Sequence, residues 1–204
     1  MMQARLSMIT ADPAQLGHAM TFLHDEVRPG VEGQPGSLGI ALAADPELGV
    51  AVLESVWSSA DALIASEDTV GLARGEIQRR AAATVSVQRY EVPVFELDAP
   101  LQPGAGLQVM QLGIKPSQVE DGIEAYGDVV VPTLADVPGF RAAQLLVDPR
   151  SGHAVSATGW RDAHALAASR GTAAALRVEL TRSAEWLITA IGEYHVLYSS
   201  VRKP

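Results

Sequence analysis

The chain has 204 residues, with 15 Lys plus Arg against 24 Asp plus Glu, a formal net charge of −9; an acidic chain without clustered cations is no general nucleic-acid binder. Hydrophobic residues make up 48 % and aromatics only 5 %, so a core can be buried and is built mainly of Val, Leu, Ile and Ala. There is no cysteine, which excludes disulfides, a thiolate nucleophile and thiolate metal sites, and no apolar run reaches the roughly 18 residues of a membrane span, so the expectation is a soluble, cytoplasmic protein that touches no membrane.

The first predicted element is a short strand, Arg5 to Thr10. Asp12 then caps a helix, with Pro13 in the first turn, where its missing N–H is harmless. Leu16, Ala19, Met20, Leu23 and Val27 recur at helical spacing, and Pro29-Gly30 is expected to stop that helix. Leu38 to Ala44 and Val50 to Trp57 read as a hairpin about Asp45-Pro46-Glu47-Leu48-Gly49. Proline presets φ there and glycine supplies the left-handed position. Ser58 or Ser59 caps a long helix towards Arg80, and Val85 to Leu97 is the last strand.

The same order then recurs. Leu107 to Ile114 is a strand, Pro116 to about Val130 a helix, and Phe140–Val147 with His153–Trp160 a hairpin. Arg161 to about Thr189 is helical with an interruption near Gly171, and Tyr194 to Ser199 closes the copy. The correspondence is literal: Pro13 matches Pro116, Pro29 matches Pro132, Pro35-Gly36 matches Pro138-Gly139, Asp45-Pro46 matches Asp148-Pro149, and Trp57 matches Trp160, each pair 103 positions apart. Shared tryptophans and fixed dipeptides at one offset mean tandem duplication. The domains are therefore 1–98 and 107–204, joined by a Pro- and Gly-rich linker over 99–106.

Each copy reads βαββαβ, a ferredoxin-like α+β fold with two helices on one sheet face. In Val50–Trp57 both faces are apolar apart from Glu54. Helices cover only one face, so the two sheets are expected to pack on each other as an intramolecular pseudo-dimer, with further homo-oligomer formation left open. The run from Pro138-Gly139-Phe140 through Trp160 to Ala168-Ser169, echoed in the first copy, resembles antibiotic-biosynthesis-monooxygenase domains of the dimeric α+β barrel superfamily. That resemblance implies a pocket between sheet and helices. Among the family it resembles, some members oxidise polycyclic aromatic phenols with O₂ and no metal or flavin, others oxidise quinols or degrade haem, and many have no established activity.

The haem branch uses an Asn, a Trp and a following His. Here there is no Asn, and Glu67, Thr69, Arg170 and Thr172 stand where a histidine would follow each Trp, so haem binding is disfavoured. Trp57 and Trp160 either line the pockets or anchor the strand ends. Glu54, at the position of Ala157, is a candidate proton acceptor, and His195 on the last strand is the histidine candidate for a pocket. Gln144, Tyr126, Thr158 and Arg141 are polar groups for the second-copy pocket. His18 and His24 lie on different helix faces and form no metal pair. The repeating Gly30, Gly33, Gly36 and Gly39 form a connector rather than a phosphate loop. The expected function is a monooxygenase, with no cofactor or metal, of a small apolar phenolic or quinol-type ligand; the alternative is a non-catalytic ligand-binding or structural protein.

Overall fold

A computed structural model describes residues 1–183 and 186–204. The first copy runs β1 (Gln3–Thr10), α1 (Pro13–Phe22), α2 (Arg28–Glu32), β2 (Ser37–Asp45), β3 (Val50–Trp57), α3 (Ala60–Ala65), α4 (Glu67–Ala81) and β4 (Thr84–Leu97). The second runs β5 (Gly106–Gly113), α5 (Val119–Ala125), α6 (Val131–Ala135), β6 (Phe140–Val147), β7 (His153–Trp160), α7 (Ala163–Ser183) and β8 (Leu187–Ser199). This is the expected α+β, ferredoxin-like order.

The chain forms two compact units, Met1–Arg89 with Val196–Pro204, and Tyr90–His195. In the first, β3 pairs antiparallel with β1 and β2, and the chain's tail runs along β2, with Ser200 N–H donating to the Ile40 carbonyl and Arg202 N–H to that of Leu38. Gly39 admits the tail: at φ +122°, a Cβ there would sit 2.4 Å from the Ser200 carbonyl oxygen. In the second unit the order is β8–β5–β7–β6–β4, again antiparallel. Its β6 partner is the later part of β4, Glu91 to Leu97, with a register shift between Glu91 and Val94. That irregularity contains Pro93, which has no N–H to give the ladder. Each unit thus holds a strand segment belonging to the other repeat. The repeat boundary near residue 98 and the limits of the compact units are different quantities.

The hairpins form as their turns dictate. Asp45 accepts from the N–H groups of Glu47 and Leu48 at 3.0 and 3.1 Å, and Asp148 does the same for Arg150 at 3.1 Å. Gly152 has φ +73°, and a Cβ there would lie 1.8 Å from the Ile114 carbonyl oxygen. Asp12 caps α1 by accepting from Ala14 N–H at 2.8 Å.

Three expectations are corrected. Pro29 does not stop its helix, because a π turn over Leu23–Val27 precedes it and α2 continues to Glu32. Arg28 N–H reaches back five residues to the Leu23 carbonyl, and the widened turn leaves room for a ring that clashes in a regular helix. The second copy repeats this with a π turn over Tyr126–Val130 ahead of Pro132. The helix after β3 is broken at Ser66, whereas α7 runs unbroken through Gly171. Arg5 is the cause: its guanidinium donates to the Leu63 carbonyl and Ser66 Oγ, both at 2.9 Å. The Leu63 carbonyl is the acceptor that Glu67 N–H would use in a continuous helix. In the second copy Gln108 stands in place of Arg5. Finally, α7 ends at Ser183 and Leu187–Thr189 are strand, not helix; the expected helix over 184–185 lies outside the described residues.

The helix-facing core of the first unit gathers Ile9, Leu16, Leu23, Leu42, Leu53 and Trp57; that of the second gathers Leu112, Tyr126, Leu145, Trp160 and Leu166. On the opposite face of β3, Val52, Glu54 and Val56 are only 3 %, 8 % and 0 % exposed. Both faces of that strand are buried, as its composition demands.

Candidate functional site

Each unit has a small cavity between sheet and helices, and the two occupy equivalent places in the repeat. The first has about 20 Å³ of free space and is lined by Ser7, Leu23, Val27, Leu53, Val70, Arg74 and Ile77 among others. The second has about 30 Å³ and is lined by Met110, Tyr126, Val130, Ser156, Ala173, Arg177 and Leu180, together with Gln108, Thr158 and Trp186. Adding 103 to each number of the first group gives the corresponding residue of the second. Arginine is kept at Arg74 and Arg177. Leucine becomes tyrosine at Tyr126 and serine at Ser156.

Tyr126 is fully buried. Its hydroxyl lies 3.0 Å from the Gln144 carbonyl, to which it donates, and 2.9 Å from Ser156 Oγ. Burial pushes the phenol well above its ordinary range, against a smaller opposing effect of the Ser156 bond, so it is a neutral donor. Arg177 donates to Gln108 Oε1 at 3.4 Å, and Gln108 Nε2 donates to Glu193 at 3.4 Å. Arg170 binds Glu193 through Nε and Nη2 at 2.9 and 2.5 Å. The Arg170 bond is the largest influence on Glu193 and holds its carboxyl below the usual range despite partial burial. The cavity lining thus combines polar groups with apolar side chains such as Met110, Val130 and Leu180. The described lining contains no carboxylate and no histidine.

Of the residues singled out from the sequence, Tyr126 and Thr158 line this cavity. Gln144 contributes its carbonyl. Trp57 and Trp160 are 0 % and 1 % exposed and belong to the cores rather than the cavity linings. Their indole N–H groups donate to Ser55 and Thr158 at 3.0 and 3.3 Å, and Phe140 meets Trp160 edge-on. They are anchors of the strand ends. Glu54 is buried opposite Leu6 and Ala41, on the sheet face away from Leu53 and the first cavity. His195 is exposed, as are the other four histidines, so it does not serve a pocket. Arg141 lies instead on an open groove of about 480 Å³ beside Glu96, Asp98 and Asp136, 3.6 Å from Asp98. Among the described residues no three metal-ligating side chains cluster, and no helix is long and apolar enough to cross a membrane.

Ser156, Gln108 and Arg177 were not among the expected site residues. Comparison of the two copies carries the signal that finds them: polar groups at Tyr126 and Ser156 where the other copy keeps leucine, and an arginine held in both.

The model of the antibiotic biosynthesis monooxygenase family matches residues 107–179. The uncharacterized protein Rv2557 of Mycobacterium tuberculosis is 29 % identical over 181 residues, covering 89 % of this chain and 81 % of that protein. Rv2558 of the same organism is 27 % identical over 202 residues, covering 98 % and 86 %. Among solved structures, an anthrone oxidase-like protein superposes with a TM-score of 0.67 at 19 % identity, covering 97 % of this chain and 92 % of that one. A ferredoxin-fold protein related to antibiotic biosynthesis monooxygenases, from Listeria monocytogenes, gives 0.55 at 9 % identity, covering 94 % and 93 %. At such identities these structures speak for the fold alone. Residues 107–179 thus match an antibiotic biosynthesis monooxygenase domain.

Proposed function

We propose that the second copy is the ligand site and that its reaction class is oxidation by O₂ of a small phenolic or quinol-type molecule, without a cofactor. The observation that supports this is the polar set Tyr126, Ser156, Thr158, Gln108 and Arg177, in which Tyr126 and Ser156 take the places of Leu23 and Leu53 in the first cavity. A phenolic oxygen would lie among these donors. The Arg177 guanidinium favours its ionised form, and the electron-rich phenolate is the species that O₂ attacks. With no base in the described lining, the proton leaves to water rather than to a side chain. For a diaryl methylene substrate the balance is CH₂ plus O₂ to C=O plus H₂O; for a quinol it is quinol plus O₂ to quinone plus H₂O₂. Neither needs an external reductant.

The cavity size favours a second reading, a non-catalytic protein. An apolar cavity of about 150 Å³ takes benzene, so about 30 Å³ must widen before one ring can enter. Oxygen uptake with a panel of anthrones and hydroquinones, run beside thermal shift with the same compounds, separates the readings. Turnover abolished by Arg177→Gln supports oxidation; a thermal shift without turnover supports binding alone. No response to any member of the panel overturns the ligand-site proposal.

A further inference from the structure

We infer that the first unit carries a binding site for a small oxyanion, such as phosphate or a carboxylate, at the cluster of Arg5, Arg74 and Arg89 around Glu67. Three guanidiniums converge there on one carboxylate. Arg5 and Arg89 reach Glu67 Oε2 at 2.8 and 2.6 Å, and Arg74 reaches Oε1 at 3.7 Å. The group is left with two positive charges uncompensated, within a chain whose formal net charge is −9. Repulsion between neighbouring guanidiniums is costly when water is partly excluded, and Arg5 is only 1 % exposed. An anion relieves that repulsion.

Two further observations point the same way. The Nε–H groups of Arg5 and Arg74 are buried and have no acceptor among the described residues. A guanidinium offers its donors as a planar fork suited to a two-oxygen ligand, and at Arg74 part of that fork is unused. There is also room: a Cβ on Gly71, one turn before Arg74, would meet nothing within 4 Å. Arg74 and Arg89 are 32 % and 53 % exposed at their side chains, so an anion can arrive from solvent and meet a buried cation behind them.

The second copy is the internal control. Gln108 replaces Arg5, and the helix-to-strand ion pair is reversed in sign, Arg170 with Glu193 instead of Glu67 with Arg89. Arg177 remains, so that cluster carries one excess positive charge rather than two. It is expected to hold phosphate weakly or not at all.

The test uses the full chain and inorganic phosphate, against sodium chloride at matched ionic strength. Phosphate at ten times its Kd should raise the thermal midpoint by about 3–6 °C. Arg74→Gln with Arg89→Gln should abolish the rise, while Arg170→Gln should leave it. In parallel, the Arg Nε–H resonances of the unaltered protein should include two that shift with phosphate and saturate together, a readout independent of whether the variants fold. A rise no greater than with chloride overturns the inference. So does a rise that survives the double substitution, or the lack of any saturating Nε–H shift.

Discussion

Glu67→Gln is the sharpest test of how the first unit is held together. The substitution keeps size and one acceptor but removes the charge that three arginines share. Removing one partner of a fully buried pair costs about 3–5 kcal/mol. Glu67 is 36 % exposed at its side chain, so solvent screening reduces that, and Arg5 keeps its bonds to Leu63 and Ser66. The expected loss is about 2 kcal/mol, or a fall of about 0.7–1 M in the urea midpoint with the slope unchanged. Partial burial pulls the Glu67 carboxyl up, but the Arg5 and Arg89 guanidiniums outweigh it and hold the group below its usual range. A carboxyl lowered on folding stabilises fully above its unfolded value of about 4.3, and the contribution disappears as pH falls through the folded value. The gap between the two proteins should therefore close in acid. Arg89→Gln should destabilise the parent slightly, yet stabilise the Glu67→Gln protein, where repulsion among the arginines outweighs the neutral hydrogen bond that remains. Equal urea midpoints for parent and Glu67→Gln, or the same sign for Arg89→Gln in both backgrounds, would refute the reasoning.

Other outcomes follow from the second unit and the turns. Tyr126→Phe strands Ser156 Oγ and the Gln144 carbonyl and should cost about 1–3 kcal/mol by urea unfolding. Replacing both partners with the first copy's leucines, Tyr126→Leu with Ser156→Leu, should cost less than the sum of the single changes. Burial, aided by Asp148, raises the Tyr90 phenol to about 12, so Tyr90→Phe should remove only late-titrating phenolate absorbance. Gly152→Ala places a methyl into the Ile114 carbonyl at φ +73° and should cost at least about 2 kcal/mol by thermal unfolding. Fragments cut within residues 99–106 should each lack cooperative unfolding alone and regain it when mixed, because the edge of β2 is covered by Ser200 and Arg202.

Local chemistry made much of this fold readable. Asp-Pro-x-x-Gly set both hairpins, and β3, β6 and β7 begin and end where the alternation of residues put them. What failed depended on distant or uncommon partners. Pro29 looks like a stop unless a π turn precedes it, and no local pattern announces one. The helix looks continuous through Ser66 until the Arg5 guanidinium, 58 residues before Leu63, takes the Leu63 carbonyl that Glu67 N–H would use. The start of β8 was hidden because Leu187 and Ile188 suit helix or strand equally, and pairing with β5 decides. At the site, Tyr126 and Thr158 were legible as polar groups on apolar elements. Glu54 and His195 drew notice as charges, but strand parity places Glu54 on the other face of the sheet, and His195 is exposed.

The bond between Ile40 and Ser200 spans 160 residues. A ribosome adding about 5–20 residues per second makes the second partner roughly 8–30 s after the first. For that interval the apolar stretch Ser37–Asp45 is an open edge on a nascent chain, able to pair with any other strand it meets. Premature termination anywhere after residue 45 and before residue 200 would leave that edge open for good. Yield on expression should therefore depend more on synthesis speed and crowding of nascent chains than on the stability of the finished protein.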